Sequence, residues 1–406
     1  MDAPFLFVDQ VATAGKTCLV RLDLNVPLVD GQVGDDTRIR RILPGVEALR
    51  ASGARIVILT HLGRPKGKVN PQMSVAPVAA ALGAMLGCDV PVEADVTGPG
   101  GRAAVAALAD GDVLMMENLR FFAGEEANDD GFAASIASLG DIYVGDAFSC
   151  THRAHASVEA LPRVMEMATA GRALGEELTA LHRALADPQR PVAAIVGGAK
   201  VSTKLQVLEN LVTRVDVLVL GGGMANTFLL ADGHDVGASL VEAEMVDTAR
   251  AIRLRAEQNG CRIVLPEDYL VAGQLAANVP HRIAGPGDVG ADEMILDAGP
   301  ASAEVAASCL ADCRTAVWNG PMGAFEFPPF DQATNRVATA VAALTSAGRM
   351  MSVAGGGDTL AALANAGVSD QFSYVSTAGG AFLEWLEGRD LPGVEALRRW
   401  HILTMR

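Results

Sequence analysis

Basic charge is in short supply in this chain. Its 406 residues hold 32 Lys plus Arg against 48 Asp plus Glu, a formal charge of −16 at neutral pH. The deficit runs through both halves: residues 1–170 stand at −7 and residues 171–406 at −9. A nucleic-acid binder needs a basic surface, so that class of partner is set aside. An acidic total still leaves room for a small anion held by a few basic residues in one cleft. Long apolar runs are also missing, since none reaches the ~18 residues of a membrane span without Gly or charge. The start, MDAPFLFVDQVATAGKT, has no basic stretch leading into an apolar one, so no secretion signal is read. The six cysteines (18, 88, 150, 261, 309 and 313) are scattered, which argues against a disulfide framework and for reduced thiols in the cytoplasm. Cys309 and Cys313 lie four apart on an expected helix but have no further zinc ligands nearby. No Ser/His/Asp or Cys/His constellation stands out.

What the chain does have is core-forming residues. Half of it is hydrophobic, which rules out disorder, and its length suits two domains. Short apolar runs recur, each ending in Gly, Asp or Asn and followed by a helical pattern. In the first half they are 18–27, 55–64, 90–92, 113–120 and 142–148; in the second, 192–200, 215–223, 261–266, 293–299, 315–320, 349–358 and 372–380. Near-continuous apolar strands alternating with amphipathic stretches indicate βαβ units around parallel sheets buried on both faces. Between the two series, residues 171–191 place Leu174, Leu178, Leu181 and Leu185 on one helical face and end at Pro188 and Pro191. This segment is expected to join two α/β domains. Open sheets of this kind bind ligands beyond the carboxyl ends of their strands.

In the first half, basic residues gather at those ends: Arg21 near Asp23 and Asn25, His61 with Arg64, Arg120, and His152 with Arg153 and His155. Arg38 follows the acidic turn Asp35–Asp36. Guanidinium forks bind carboxylate and phosphate bidentately, so the cluster reads as a seat for a small phosphorylated acid, with solvated loop charges as the plainer alternative. From residue 171 onward the only lysines are Lys200 and Lys204, in VGGAKVSTK. Their spacing predicts two ammonium groups on one helix face with a phosphate chain between them, a solvated helix face being the plainer alternative. Gly-rich turns at 221–224, 355–358 and 378–380 let backbone amides approach phosphates, although α/β turns also use Gly for steric reasons. Asp358, after three glycines, offers a carboxylate to phosphate-bound Mg²⁺ or caps a helix. Glu326, in FEFPPF, could accept from ribose hydroxyls or simply be exposed. AGKT at 14–17 lacks the upstream Gly of a Walker A loop, and GPGDVG at 285–290 lacks a leading strand.

Taken together these residues resemble the phosphoglycerate kinase family over essentially the whole chain. The resemblance is carried by VRLDLNVP (20–27), TRI (37–39), THLGRP (60–65), ENLRF (117–121), DAF with HRAHAS (146–157) and GGAKVS (197–202). It continues through GGGMANTF (221–228), WNGPMGAFE (318–326), AGGGDT (354–359) and VST-GGA (375–381). It implies two Rossmann-like three-layer α/β domains, each with a parallel six-stranded sheet, joined by a helix. The boundaries it suggests are 1–170 plus 391–406 for phosphoglycerate binding, 171–190 for the connecting helix and hinge, and 191–390 for the nucleotide.

The implied activity is reversible phosphoryl transfer between 1,3-bisphosphoglycerate and ADP, giving 3-phosphoglycerate and ATP, with Mg²⁺ and hinge-bending closure, in a monomer. By the same resemblance, Asp23, Asn25, Arg38, His61, Arg64, Arg120 and Arg153 bind 3-phosphoglycerate. Arg38, Lys200, Lys204, Gly356 and Gly379 serve the transferring phosphoryl group. Lys204, Gly221, Gly222, Asn319, Pro321, Glu326, Gly355, Gly356, Gly357, Asp358 and Thr359 hold the nucleotide, and Asp358 its Mg²⁺. Three departures from the family pattern stand out: Ser149-Cys150-Thr151 after Phe148, Thr203 where Asp is common, and Ala378 in place of a Gly. A nicotinamide-dependent dehydrogenase needs a GxGxxG turn after a strand, which is missing. A solute-binding protein for anions would leave the lysine pair and GGGD unexplained.

Overall fold

The computed structural model describes residues 5–404, apart from the side chains of 400–404. Residues 1–4 and 405–406, which the sequence reading gives to the first domain, lie outside the described residues. The chain divides into two compact units, 1–178 with 390–406, and 179–389.

The first unit is built on six parallel strands: β1 (Thr17–Leu22), β2 (Arg55–Leu59), β3 (Val92–Glu93), β4 (Val113–Met116), β5 (Ile142–Asp146) and β6 (Ala168–Ala170). Their order across the sheet is β3-β4-β2-β1-β5-β6. Every residue of β1 and β5 is buried, as a central strand covered by helices on both faces requires. Chain order reverses between β1 and β5, so the loops after these two strands open a crevice. Helix α1 (Thr37–Ala51) buries Ile39, Ile42, Val46 and Leu49 in the core beside Val20, Ile56 and Ile58.

Helix α2 (Arg172–Leu181) runs on into a π-helical turn, His182–Ala186, and the division between units falls within it, after Leu178. Leu174, Leu181 and Leu185 are buried along its length. At its start, the buried Asp146 carboxylate at the end of β5 accepts from the Leu174 N–H at 2.7 Å. Burial raises this carboxyl to about 6, against the pull of amide bonds from Leu174 and Ala173.

The second unit repeats the plan with β7 (Val192–Val196), β8 (Val217–Leu220), β9 (Arg262–Val264), β10 (Tyr269–Ala272), β11 (His281–Ala284), β12 (Met294–Ala298), β13 (Thr315–Asn319), β14 (Met351–Gly355) and β15 (Tyr374–Ser376). Six of these form a parallel sheet in the order β9-β8-β7-β13-β14-β15; β10, β11 and β12 form a small antiparallel sheet. Chain order here reverses between β7 and β13. The helices that matter for the site are α3 (Leu205–Leu211), α4 (Gly222–Ala231), α5 (Gln332–Ser346), α6 (Gly357–Asn365) and α7 (Gly379–Leu386). The last helix, α8 (Pro392–Thr404), packs in the first unit, where the Gly393 N–H donates to the Thr151 carbonyl at 2.9 Å.

Two strand readings need correction. The run 293–299 is a strand but belongs to the antiparallel sheet, because a strand half covered on its second face is also nearly continuous in apolar residues. The sixth strand of the first sheet is instead β6, Ala-Thr-Ala, too short and small to signal itself. The GPGDVG segment follows β11 as a turn of the antiparallel sheet, so it opens no helix.

Candidate active site

In the first unit the crevice is lined by charged side chains. Arg21, inside β1, is fully buried and its Nε donates to Ser157 Oγ at 2.8 Å. Ser157 in turn is held by the buried Glu125, which accepts from the serine amide at 2.9 Å and its hydroxyl at 2.6 Å. A second Arg21 nitrogen lies 3.0 Å from His61 Nδ1. A guanidinium can only donate, so Nδ1 is the acceptor and the proton of the neutral ring sits on Nε2. Burial, then the charges of Arg21 and Arg120, hold His61 well below the usual imidazole range. His155 is lowered to about 4, by burial first and then by Arg120, Arg21 and Arg153. Both rings are therefore neutral at physiological pH.

Arg120 follows the Asn118-capped turn after β4. It is buried, its NH1 donates to the Gly63 carbonyl at 2.7 Å, and Glu126 is 3.5 Å from its Nε. Arg153 is half-buried and donates to His152 Nε2 at 3.1 Å, while Arg64 is exposed. Asn25 accepts from the Gly63 N–H at 2.9 Å, tying the loop after β1 to the one after β2. Arg38, in the first turn of α1, pairs with Asp23 Oδ2, the oxygen that also accepts from Ser149 Oγ. The Asp23–Ser149 bond spans the reversal between β1 and β5.

Asp23, His61 and Cys150 bring possible metal-ligand atoms within 4.8 Å of one another. Arg21 already touches His61 and lies 3.7 Å from the Cys150 sulfur. A cation placed there would meet Arg21, Arg120 and Arg153 as like charges. The field suits an anion. Burial pushes the Cys150 thiol up, keeping it a neutral wall of the crevice.

The second unit's crevice is made mostly of backbone. Lys204 Nζ donates to the Gly197 carbonyl at 2.6 Å and the Asn319 carbonyl at 2.9 Å, joining the ends of β7 and β13 at the reversal point. Burial lowers this ammonium to about 8, with the Asp358 charge acting against that fall. The expected lysine pair on one helix face is not formed. Lys200 lies exposed in the turn before the 3-10 segment Ser202–Lys204, α3 starts only at Leu205, and Lys204 folds back onto carbonyls. A Gly-Gly strand end delays the helix, so helical spacing does not apply.

Asn319 Nδ2 donates to the Gly355 carbonyl at 2.7 Å, and Thr359 Oγ1 accepts from Gly320 N–H at 2.7 Å. Gly356 has φ +101 and a Cβ there would lie 2.7 Å from Asn319 Nδ2, so only glycine fits this approach. Gly356 is the cap of α6, which places Asp358 as its second residue, exposed, and not as the helix cap. Gly357 and Gly379, at the starts of α6 and α7, face open space. Helix starts with bare glycine amides are anion sites.

Gly221 caps α4, and the Gly222 amide is engaged by the Met322 carbonyl at 2.7 Å. Pro321 is buried against Gly197, and Glu326 is exposed on the following loop. Ala378 has φ −96 and a buried side chain, so it replaces a glycine without strain. Sequence reasoning overlooked Glu125, Asp146, Glu242 and the buried Asp297, which accepts from the Ala333 N–H at 2.9 Å under the Gly323 turn. Buried carboxylates on helix starts carry no local sequence signal.

The family model described as phosphoglycerate kinase matches residues 8–389. A phosphoglycerate kinase of Rhodospirillum centenum is 56% identical over 393 residues, covering 97% of this chain and 99% of the relative. That of Zymomonas mobilis is 56% identical over 383 residues, covering 94% and 96%. Among solved structures, the phosphoglycerate kinase of Coxiella burnetii superposes with a TM-score of 0.92 at 42% identity, covering 98% of this chain and 99% of that one. The Pyrococcus horikoshii enzyme gives 0.79 at 29% identity, covering 98% and 100%. The chain belongs to the phosphoglycerate kinase family, and its reaction is reversible phosphoryl transfer between 1,3-bisphosphoglycerate and ADP, giving 3-phosphoglycerate and ATP.

Proposed function

We propose that the first unit holds the phosphoglycerate and the second the nucleotide, with α2 near the hinge. The observation that carries this reading is the contrast in donors. Arg21, Arg120 and Arg153 crowd around neutral His61 and His155 in one unit, while glycine turns and a carbonyl-held lysine line the other. Asp23, Asn25, His61, Arg64, Arg120 and Arg153 would bind the acid. The turn Gly355–Thr359, with Gly221, Gly222, Asn319, Pro321, Lys204 and Glu326, would bind the nucleotide, and the Gly379 amide would face its phosphates.

The attacking group in the direction of acyl phosphate formation is a carboxylate, already ionised, so no general base is needed. His61 and His155, neutral and ringed by guanidinium groups, serve as hydrogen-bond donors and not as bases. Catalysis is then positioning plus neutralisation of charge on the transferring phosphoryl group by Arg38, Lys200 and helix-start amides. Arg38 must leave Asp23 to do this, and Ser149 still satisfies that carboxylate when it goes. Donor and acceptor bind to different units, so closure, which is typical of this fold, precedes transfer and expels water.

Mg²⁺ accompanying the nucleotide supplies further charge neutralisation on the phosphates. Asp358 fits such a role: an exposed carboxylate without an ion pair among the described residues, at the start of α6 and within electrostatic reach of Lys204. No helix among the described residues is long and apolar enough to cross a membrane. All six cysteines are free, which supports a reducing cytoplasmic setting, and the enzyme is read as a monomer. ATP consumption measured with and without 3-phosphoglycerate, and with Mg²⁺ omitted, tests the assignment. Turnover without the acid would contradict it.

A further inference from the structure

The turn that carries Lys200 is held from within by two bonds, Thr203 Oγ1 donating to the Lys200 carbonyl at 2.8 Å and the Lys204 N–H to the Val201 carbonyl at 3.0 Å, and neither reaches the Lys200 side chain. Lys200, Ser202 and Thr203 are exposed, and the Lys200 side chain forms no hydrogen bond or ion pair among the described residues. Two ties fix the turn from outside. Upstream, the Gly198 carbonyl accepts from the Met224 N–H at 3.0 Å, and Gly222 and Gly223 pack so closely on Gly198 and Ala199 that a Cβ would fall 2.8 and 2.6 Å from their carbonyl oxygens. Downstream, the tie is Glu242, about forty residues along the chain and buried. Ser202 donates to it twice: its N–H to Oε2 at 2.9 Å, and its hydroxyl to Oε1. The Val201 amide donates as well, and the Glu242 N–H is itself anchored on Thr227 Oγ1 in α4 at 3.1 Å. Burial alone would raise this carboxyl, but the bonds from Ser202 and Val201 and the nearby Lys200 charge outweigh it and keep Glu242 ionised.

We propose that Glu242 is a positioning residue for phosphoryl transfer, clamping the Lys200 turn to α4 so that the ammonium group is presented to the transferring phosphate in one place. The inference rests on the reading of Lys200 given above. The geometry supports a clamp because Lys200 sits between the two ties, one at Gly198 and one at 201–202. Loosening the second frees the stretch between Gly198 and the carbonyl-held Lys204 from α4 on its downstream side, leaving the Lys200 turn to its own bonds. An amide at position 242 keeps one acceptor oxygen but loses the charge and replaces the other oxygen with an NH2 donor, so the Ser202 hydroxyl and the two backbone N–H groups no longer share two acceptors.

The test is steady-state kinetics on the full-length enzyme for Glu242→Gln, Ser202→Ala, Ser202→Thr, Lys200→Ala and the double variant Lys200→Ala/Glu242→Gln. Misplacement by ~1 Å costs up to ~10²-fold, so kcat of Glu242→Gln is expected to fall about tenfold or more with KM for both substrates nearly unchanged. Ser202→Ala, which keeps the carboxylate and its backbone donors, should lose a smaller part of kcat, and Ser202→Thr should restore it. In the Lys200→Ala background, Glu242→Gln should cost nothing further, since the two act as one unit. Should Glu242→Gln fail to fold, the Ser202 pair decides the matter. A large loss for Lys200→Ala with normal kcat for Glu242→Gln, or a loss undiminished in the double variant, overturns the clamp alone. A normal kcat for Lys200→Ala overturns the reading of Lys200 and the clamp with it.

Discussion

The two units solve the same problem at the same topological place with different materials. Each sheet reverses chain order once, between β1 and β5 in one and between β7 and β13 in the other, and each reversal opens a crevice. In the first unit the crevice is filled by long side chains: buried Arg21 and Arg120, half-buried Arg153, Arg38 on a leash to Asp23. In the second, a single lysine bonded to two carbonyls sits among glycines, of which Gly197, Gly221, Gly222 and Gly356 have their Cβ positions occupied by neighbouring atoms while Gly357 and Gly379 face open space. On the assignment proposed above, a small acid with carboxylate and phosphate at its ends would be matched by the forked donors of the first unit. A nucleotide brings its own length and needs backbone amides brought close, which bulk would prevent. On the proposed assignment, an acidic protein holds two anionic ligands without a basic surface, by burying cations in one site and using peptide dipoles in the other.

This contrast can be broken in graded ways. The largest effect is expected for Arg38→Ala, where kcat should fall roughly 10³–10⁵-fold, the range for an arginine acting on a transferring phosphoryl group. A loss below tenfold in a normally folded variant would remove Arg38 from the chemistry. Next comes Gly356→Ala, which forces a side chain into φ +101 and against Asn319. Strain of about 1–3 kcal/mol should weaken ADP binding roughly 5- to 150-fold in calorimetry while 3-phosphoglycerate binding stays intact.

A smaller effect concerns pH. Lys204 is lowered to about 8, so it loses its charge as pH rises through that value, and KM for the nucleotide should climb above pH 8. Lys204→Arg, which cannot deprotonate, should flatten the rise; an unchanged profile would place the ammonium outside nucleotide binding. The smallest effects are on acid stability. His155 is depressed to about 4, so its contribution is present above its unfolded range and is lost as pH falls through 4. Asp146 is raised to about 6, so its contribution is present in acid and is lost as pH rises through 6. The two oppose each other in one window. Thermal melts should therefore shift in opposite senses: His155→Gln should lessen the loss of stability on acidification, and Asp146→Asn should lessen the loss on raising pH from 4 to 6.

Much of the fold was legible because buried parallel strands write themselves as apolar runs, as in TCLVRL and VAAIV. What failed were Ala168–Ala170, Tyr269–Ala272 and His281–Ala284, which went unread, and Met294–Ala298, whose apolar run was read as a strand of the parallel sheet. In the site, residues with exposed or clustered charge were visible as exceptions in an acidic chain. The two lysines drew attention by their rarity, but the shared helix face expected of them is not formed, since the Gly-Gly turn postpones the helix. Glu125, Asp146, Glu242 and Asp297 were invisible for a common reason: a carboxylate that caps a distant helix or turn is chosen by tertiary contact, and local sequence does not record it.

The most direct measurement is a crossed calorimetric titration of 3-phosphoglycerate and of Mg·ADP into Arg153→Ala and Gly356→Ala. The expected result is that Arg153→Ala loses affinity for the acid and keeps it for the nucleotide, while Gly356→Ala does the reverse. If each variant loses both ligands equally, or the losses are exchanged, the division of labour between side-chain and backbone sites is wrong.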